Sequence, residues 1–391
     1  MQANALNSSN ISSVLTPIGA SYYARTNRLS AEHYQELVDR GWRRSGSLLY
    51  MPDLKRSCCP HYTIREKAKQ KTSFDLLQAV HESEVDQLKP IEPAHRFSVT
   101  LEADSFSDEK FALYAKYQAH VHHDAPSDIS PTSFKSFLCS SPLHGTTQPA
   151  SPTTPSSPTP PPKPFGSYHQ CYRLNGRLIA LSILDLLPHA VSGVYFIYDP
   201  AYERHSFGKL SALREAALAL ERGYAFYYMG YYIHDCAKMR YKAEYRPQFV
   251  LDLEGGAWEP LEGEVRALMG RRKYVSLAGE RRRRGGGDAR AGVEGEDGDA
   301  VMFPAPLEAV DSGLSLLELG MPGVMSLEEI ALQLDLDEVR LLLRGDVHRM
   351  KDLVSWDGES VVDSSSLKGL VAEFVACIGP KLAREVLVSF S

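Results

Sequence analysis

Leu178-Ile-Ala-Leu-Ser-Ile-Leu184 and Gly193-Val-Tyr-Phe-Ile-Tyr198 decide the fold, and both lie in the stretch 168–249. The first is a continuous apolar run of strand length. The second is rich in β-branched and aromatic residues, and Asp199-Pro200 ends it because proline cannot donate to a ladder. A loop, Tyr202-Glu-Arg-His-Ser-Phe-Gly208, leads into a helix. Its apolar residues Leu210, Leu213, Ala217 and Leu220 recur at helical spacing, with Gly223 just past the end. Tyr224-Ala-Phe-Tyr-Tyr-Met229 reads as a further strand. Strand, glycine-containing loop, helix and strand make an anion-handling arrangement, because unpaired amides at a helix N-terminus point at a phosphate. The expected fold class is α/β (α+β).

The same order matches the core of GNAT-type acyltransferases, whose splayed central strands hold an acyl carrier beside an amine. Longer blocks resemble the C-terminal domain of eukaryotic arginyl-tRNA–protein transferases. They are Asp185-Leu-Leu-Pro188, Val194-Tyr-Phe-Ile-Tyr-Asp-Pro200, Ser206-Phe-Gly-Lys-Leu-Ser-Ala-Leu-Arg-Glu215, Tyr228-Met-Gly-Tyr-Tyr-Ile-His234 and Lys238-Met-Arg-Tyr-Lys-Ala-Glu-Tyr-Arg-Pro247. Arg43-Arg44-Ser-Gly and Ser57-Cys-Cys-Pro-His-Tyr-Thr-Ile-Arg65 resemble the N-terminal domain of the same family, in family order. The resemblance covers roughly residues 18–65 and 97–260. It implies transfer of arginine from arginyl-tRNA to the N-terminal α-amine of acceptor proteins beginning with Asp or Glu. The product would be an N-degron handed to ubiquitin-ligase machinery. Such a reaction is aminolysis of an activated ester. An α-amine with a pKa of about 7.7–8.0 is partly neutral at pH 7, so a strong general base is not essential and no covalent enzyme intermediate need form. No cofactor is expected for the chemistry.

Two or three domains are expected from 391 residues. A tail at 1–17 precedes an N-terminal domain at 18–96 and a GNAT-like catalytic domain at 97–265, with a Pro-rich insertion at 140–166. A disordered linker at 266–305 and a helical extension at 306–391 complete the expected order. Residues 149–164 hold eight prolines among Ser and Thr, a composition that buries no core. Residues 276–300, basic, then Gly-rich, then acidic, read as disordered. No apolar run reaches the roughly 18 residues of a membrane span, so no membrane partner is expected. Six cysteines in so long a chain make no disulfide framework, and the cytoplasm, with the nucleus as a second compartment, is the expected location. The net charge of −6 argues against unspecific polyanion binding by the whole molecule but leaves room for a local basic patch.

Site residues follow from the chemistry and from family position. The candidate catalytic residues are Asp185, Tyr195 and His234, with Asp185 as the carboxylate for the arginyl guanidinium. For the tRNA 3′ end they are Ser206, Gly208, Lys209, Lys242 and Arg246, interleaved with tyrosines on which unpaired bases stack. For the acidic acceptor they are Arg44, Arg65 and His61. Cys58 and Cys59 correspond to half of the four cysteines implicated in an iron–sulfur cluster in the family. The region where the other pair belongs runs Thr16-Pro-Ile-Gly-Ala-Ser-Tyr-Tyr23, with no cysteine before Cys58. Two readings stand beside arginyl transfer: a regulatory form that binds acidic N-termini without transfer, and an acetyltransferase using acetyl-CoA. The loop Arg204-His-Ser-Phe-Gly-Lys209 lacks the usual pyrophosphate signature of the latter.

Because such clusters need four thiolates, the chain reconstituted with iron and sulfide should acquire no stable four-cysteine cluster. Metal and sulfide analysis with visible absorbance checks this; about four irons per monomer in a monomeric preparation would contradict it.

Overall fold

The computed structural model describes residues 5–7, 13–16, 19–69, 74–82, 84, 94–143, 146–147, 163–285, 315–343, 345–353 and 356–389. Residues 144–145 and 148–162 of the expected Pro-rich insertion, and the 286–305 part of the expected linker, fall outside them. Two sheets carry the fold, which is mixed α/β. The larger has ten strands, in the order Ala257–Pro260, Gln248–Asp252, Tyr62–Lys67, Phe226–Tyr228, Ala190–Tyr198, Arg177–Leu186, Pro164–Leu174 and Phe97–Ala103, with two short strands added at its flanks. The eight-stranded sheet runs Asp346–Arg349, Arg340–Leu343, Leu387–Ser389, Ala5–Asn7, Gly19–Arg25, Leu48–Pro52 and Arg43–Ser45, with Ser13–Thr16 beside Gly19–Arg25.

The expected strand over 178–184 is realised as Arg177–Leu186, fully buried after its first residue, as its unbroken apolar run requires. The expected helix over 210–220 is Phe207–Glu221. Its deepest face is not the Leu210–Leu213–Ala217–Leu220 stripe, because Leu210, Leu213 and Leu220 are only half-buried. Ser211, Ala212, Glu215, Ala216 and Ala219 are the residues against the sheet. Small side chains let the helix approach closely, and they bring one carboxylate in with them. Ser30 caps the helix Ala31–Asp39 by accepting from the His33 amide.

Four expectations change. The strand Tyr62–Lys67, assigned from sequence to the N-terminal unit, is inserted in the larger sheet between Gln248–Asp252 and Phe226–Tyr228. The C-terminal extension is not wholly helical. Its strand Leu387–Ser389 pairs in parallel with Ala5–Asn7 and with Arg340–Leu343, while the apolar helix Leu367–Ile378 is buried. Part of the expected linker is ordered as the helices Gly263–Met269 and Leu277–Gly285. Within the expected tail, residues 5–7 and 13–16 form strands.

A buried ion pair joins the two sheets. Arg44, on the edge strand of the smaller sheet, donates from Nε to Asp185 Oδ2 at 2.7 Å and from Nη2 to Asp185 Oδ1 at 2.5 Å. Nη2 also reaches Ser167 Oγ at 3.0 Å, and Nη1 reaches the Gly46 carbonyl at 3.3 Å. Side-chain exposures of 2% and 0% leave neither group available to a substrate. Asp185 is therefore not the receptor for an incoming guanidinium, and Arg44 is not the acceptor-binding arginine: each is the other's partner.

Removing one partner from a buried pair strands the other charge, at a cost of roughly 3–5 kcal/mol. Asp185→Asn should lower the melting temperature by several degrees while leaving amino-acid selectivity unchanged. Calorimetry and a comparison of differently charged tRNAs on the same preparation check both parts.

Candidate active site

The strands Ala190–Tyr198 and Phe226–Tyr228 run parallel, joined through the helix Phe207–Glu221, and pair only from Ala190↔Phe226 to Ser192↔Tyr228. On the other side, the register against Arg177–Leu186 shifts: Ile183 faces Tyr195 while Leu184 faces Gly193. The extra residue is Val194, a bulge that bends the strand and increases its local twist. Beyond Tyr228 the chain turns away through Gly230, whose φ of +77° is open to glycine at little cost, and pairs instead with Tyr62–Lys67. The two parallel strands therefore part after Ser192, and a cavity of about 800 Å³ opens there.

Its floor carries three charged groups. Glu215 accepts from Ser182 Oγ at 2.6 Å and from the Tyr227 hydroxyl at 2.5 Å. Burial pushes its carboxyl up to about 7, against the pull of those two donors. Gly193 keeps the carboxylate open to the cavity, since a Cβ there would stand 3.3 Å from Glu215 Oε2. Lys242 donates to the carbonyls of Met229 at 2.8 Å and Tyr231 at 2.9 Å, and burial lowers its ammonium to about 8 despite the nearby Glu215. Arg43 lies against the rings of Tyr228 and Tyr231, 5.5 and 5.4 Å from their centroids. Ser192, Tyr50 and Tyr227 complete the floor.

One wall is the loop before the helix. Asp199 caps the turn Pro200–His205 through the Ala201 amide, and Ser206 follows in left-handed conformation with φ +54°. The opposite wall is the segment 238–245, tied across by Tyr241 to the Gly208 carbonyl at 3.4 Å and by Tyr245 to the Lys209 carbonyl at 3.3 Å. Four of the five residues chosen for the tRNA end are thus drawn together. Ser206, Gly208 and Lys242 line the cavity, and Lys209 is exposed one residue further along the helix. Arg246 is not among them; it is exposed and faces Glu262 at 3.8 Å.

The other choices divide. Tyr195 lines the cavity, donating to Gln118 Oε1 at 3.2 Å and sharing a hydrogen bond with His122 Nε2 at 3.0 Å, and burial raises its phenol further. His234 does not; its Nδ1 sits 2.9 Å from the Tyr232 hydroxyl outside the lining, and burial lowers its pKa. Arg65 is occupied by the fold. Its guanidinium is sandwiched 3.8 Å from Phe226 and 3.9 Å from Trp258, and Nη1 donates to the Tyr228 hydroxyl at 3.0 Å. His61 packs edge-on against Tyr231 behind the cavity wall, 5.6 Å between centroids. Glu215 went unread in the sequence, although a carboxylate one turn from Ser211, Ala212 and Ala219 on a small-residue face is a signal of a buried charge.

Cys58 and Cys59 are exposed. Burial, then the adjacent Cys58, raises the Cys59 thiol. Among the described residues no group of three or more His, Cys, Asp or Glu is placed to hold a metal. Two adjacent thiols do not fit a four-thiolate cluster, and no step is assigned to one. No described helix is long and apolar enough to cross a membrane.

Known proteins resemble the chain in two blocks. Residues 8–73 match the family described as arginine-tRNA-protein transferase, N terminus, and residues 109–252 match arginine-tRNA-protein transferase, C terminus. The chain is 37% identical over 276 residues to arginyl-tRNA–protein transferase 1 of Saccharomyces cerevisiae, covering 63% of this chain and 54% of that protein. It is 34% identical to arginyl-tRNA–protein transferase 1 of Arabidopsis thaliana, over 65% of this chain and 42% of that one. The chain thus spans about half the length of these relatives. It is also 32% identical to an aspartate/glutamate leucyltransferase of Stutzerimonas stutzeri, over 56% of this chain and 80% of that protein.

The Glu215 carboxyl moves from an ordinary 4.5 to about 7 on folding. Between those values the unfolded chain has released the proton while the folded one keeps it, so stability falls as pH rises from about 4.5 to about 7. At about 1.4 kcal/mol per pH unit the loss is roughly 3 kcal/mol. Glu215→Gln should remove that part of the dependence, which melting curves from pH 4 to pH 8 resolve.

Proposed function

The chain belongs to the arginyl-tRNA–protein transferase family, and on that premise we propose that it transfers arginine from arginyl-tRNA to the N-terminal α-amine of acceptors beginning with Asp or Glu. Transfer marks those acceptors for ubiquitin-dependent turnover. The observation that carries this reading is the cavity between the parted strands, whose floor holds a carboxylate near neutrality, Glu215, beside Lys242. A bulged strand parting from its parallel neighbour is the arrangement expected of a GNAT-type acyltransferase, and it supports that finer fold assignment. The relatives named for aspartate and glutamate share more than half of this chain while carrying leucine, which supports an acidic acceptor as the common substrate.

The reaction needs one bond made and one broken. The neutral α-amine attacks the aminoacyl carbonyl, the amide C–N bond forms, and the ester C–O bond to the terminal ribose breaks. The amine gives up a proton and the departing ribose oxygen gains one. Glu215, with its carboxyl near 7, suits the first half of that exchange because a base works best when its pKa lies near the working pH. Among the described residues, the cavity-facing edge of the strand Ala190–Tyr198 pairs with no strand beyond Ser192, which leaves backbone groups for the aminoacyl end. Ser206–Lys209 and the exposed Lys238, which lines the cavity, are suited to the terminal phosphates. Closing two reactants into such a cavity supplies rate by orientation alone.

Purified protein incubated with tRNA, labelled arginine, a synthetase and an Asp-initiated peptide should label the peptide at its N-terminus. Glu215→Gln should lower the rate by roughly a hundredfold and flatten its rise with pH through about 7. Labelling from acetyl-CoA in place of arginyl-tRNA, or from neither donor, would overturn the reading.

A further inference from the structure

Arg43 has only part of its hydrogen-bonding capacity used by the protein. It is 5% exposed, and Nη1 donates to the carbonyls of Trp42 at 2.8 Å and Val38 at 3.5 Å. Nε and Nη2, both buried, have no protein partner among the described residues. A guanidinium out of water with two unmet N–H groups is costly unless an acceptor completes it.

The neighbouring residue shows which acceptor that edge fits. Arg44 uses the same two nitrogens, Nε at 2.7 Å and Nη2 at 2.5 Å, to grip both oxygens of Asp185. Both arginines border the cavity that holds Glu215 and Lys242, but Arg44 is spent on Asp185 whereas Arg43 keeps Nε and Nη2 without a protein partner among the described residues. Ser192 Oγ, 1% exposed, lines the same cavity and likewise lacks a protein partner among the described residues.

Charge points the same way. Two basic side chains and one carboxylate held near neutrality leave the floor short of an anion. The two parallel N–H groups of a guanidinium edge match a planar carboxylate in both spacing and charge.

We propose that Arg43, with Ser192, is the specificity site for the acceptor, binding the side-chain carboxylate of its N-terminal Asp or Glu. This rests on the transferase reading above and assigns within it the role that the sequence had given to Arg44, Arg65 and His61. The acceptor's first residue enters side chain first, and its α-amine is thereby held on the same floor as Glu215.

The test uses the full chain, as Arg43→Gln and Arg43→Lys, with peptides differing only in an N-terminal Asp, Glu or Asn. Two readouts are taken: arginine transfer, and direct binding of fluorescent peptides, which does not need turnover. Melting temperature is followed because Nη1 also supports Trp42 and Val38. The expected result for Arg43→Gln is a loss of roughly tenfold to a hundredfold in kcat/KM and affinity for Asp and Glu peptides. Values for the Asn peptide and for arginyl-tRNA should stay near those of the native chain. Arg43→Lys, which keeps the charge but not the fork, should lose less. Equal losses for Asp and Asn peptides would overturn the assignment, as would a parallel loss of arginyl-tRNA affinity, which would place a phosphate on Arg43. A native chain that labels no peptide yet binds Asp over Asn through Arg43 would overturn the transferase reading and leave the site standing.

Discussion

The buried pair of Arg44 and Asp185 is the constraint from which the rest of the site follows. A guanidinium and a carboxylate at 2% and 0% exposure tolerate no other arrangement, because either one alone would be an uncompensated charge in the interior. The pair fixes the edge strand Arg43–Ser45 of the smaller sheet against the central strand of the larger one. It therefore fixes the face on which Arg43 lies. Specific docking of the two sheets, more than net stability, is what such a pair is suited to provide.

The cavity itself comes from backbone geometry. A single extra residue at Val194 and a left-handed Gly230 separate two strands that would otherwise continue side by side. Parting the strands exposes the face of the helix Phe207–Glu221 that carries Glu215, and the small residues around it let the carboxylate come within reach of Ser182 and Tyr227. The same desolvation acts in opposite directions on the two titrating groups of the floor. It brings an acid up to about 7 and a base down to about 8, each shift only partly offset by the opposite charge of the other.

The remaining elements hold this floor in place. Trp42, fully buried one residue before Arg43, donates to the Cys377 carbonyl at 3.2 Å. The C-terminal helix Leu367–Ile378 is thereby linked to the start of the edge strand. The strand Leu387–Ser389 pairs beside Ala5–Asn7 in the smaller sheet, so residues 387–389 belong to the same layer as residues 5–7. The extension is a structural support for the edge strand that presents Arg43.

Local patterns were enough to find the elements of the central stretch. An unbroken apolar run, an aromatic and β-branched run closed by Asp-Pro and a helical repeat are properties of neighbours in sequence, and the structure realises each within a few residues. The family blocks likewise marked Ser206, Gly208 and Lys242 as neighbours of one site. What the sequence could not decide was which of several equivalent charges the fold consumes. Arg43, Arg44 and Arg65 are alike as residues. Arg44 is claimed by Asp185 from 141 positions away, and Arg65 by Phe226, Trp258 and the Tyr228 hydroxyl. Arg43, which lines the cavity, keeps both Nε and Nη2 without a protein partner among the described residues. Pattern and propensity act through residues close in the chain, whereas the assignment of a buried charge depends on partners that only the packed sheets bring together.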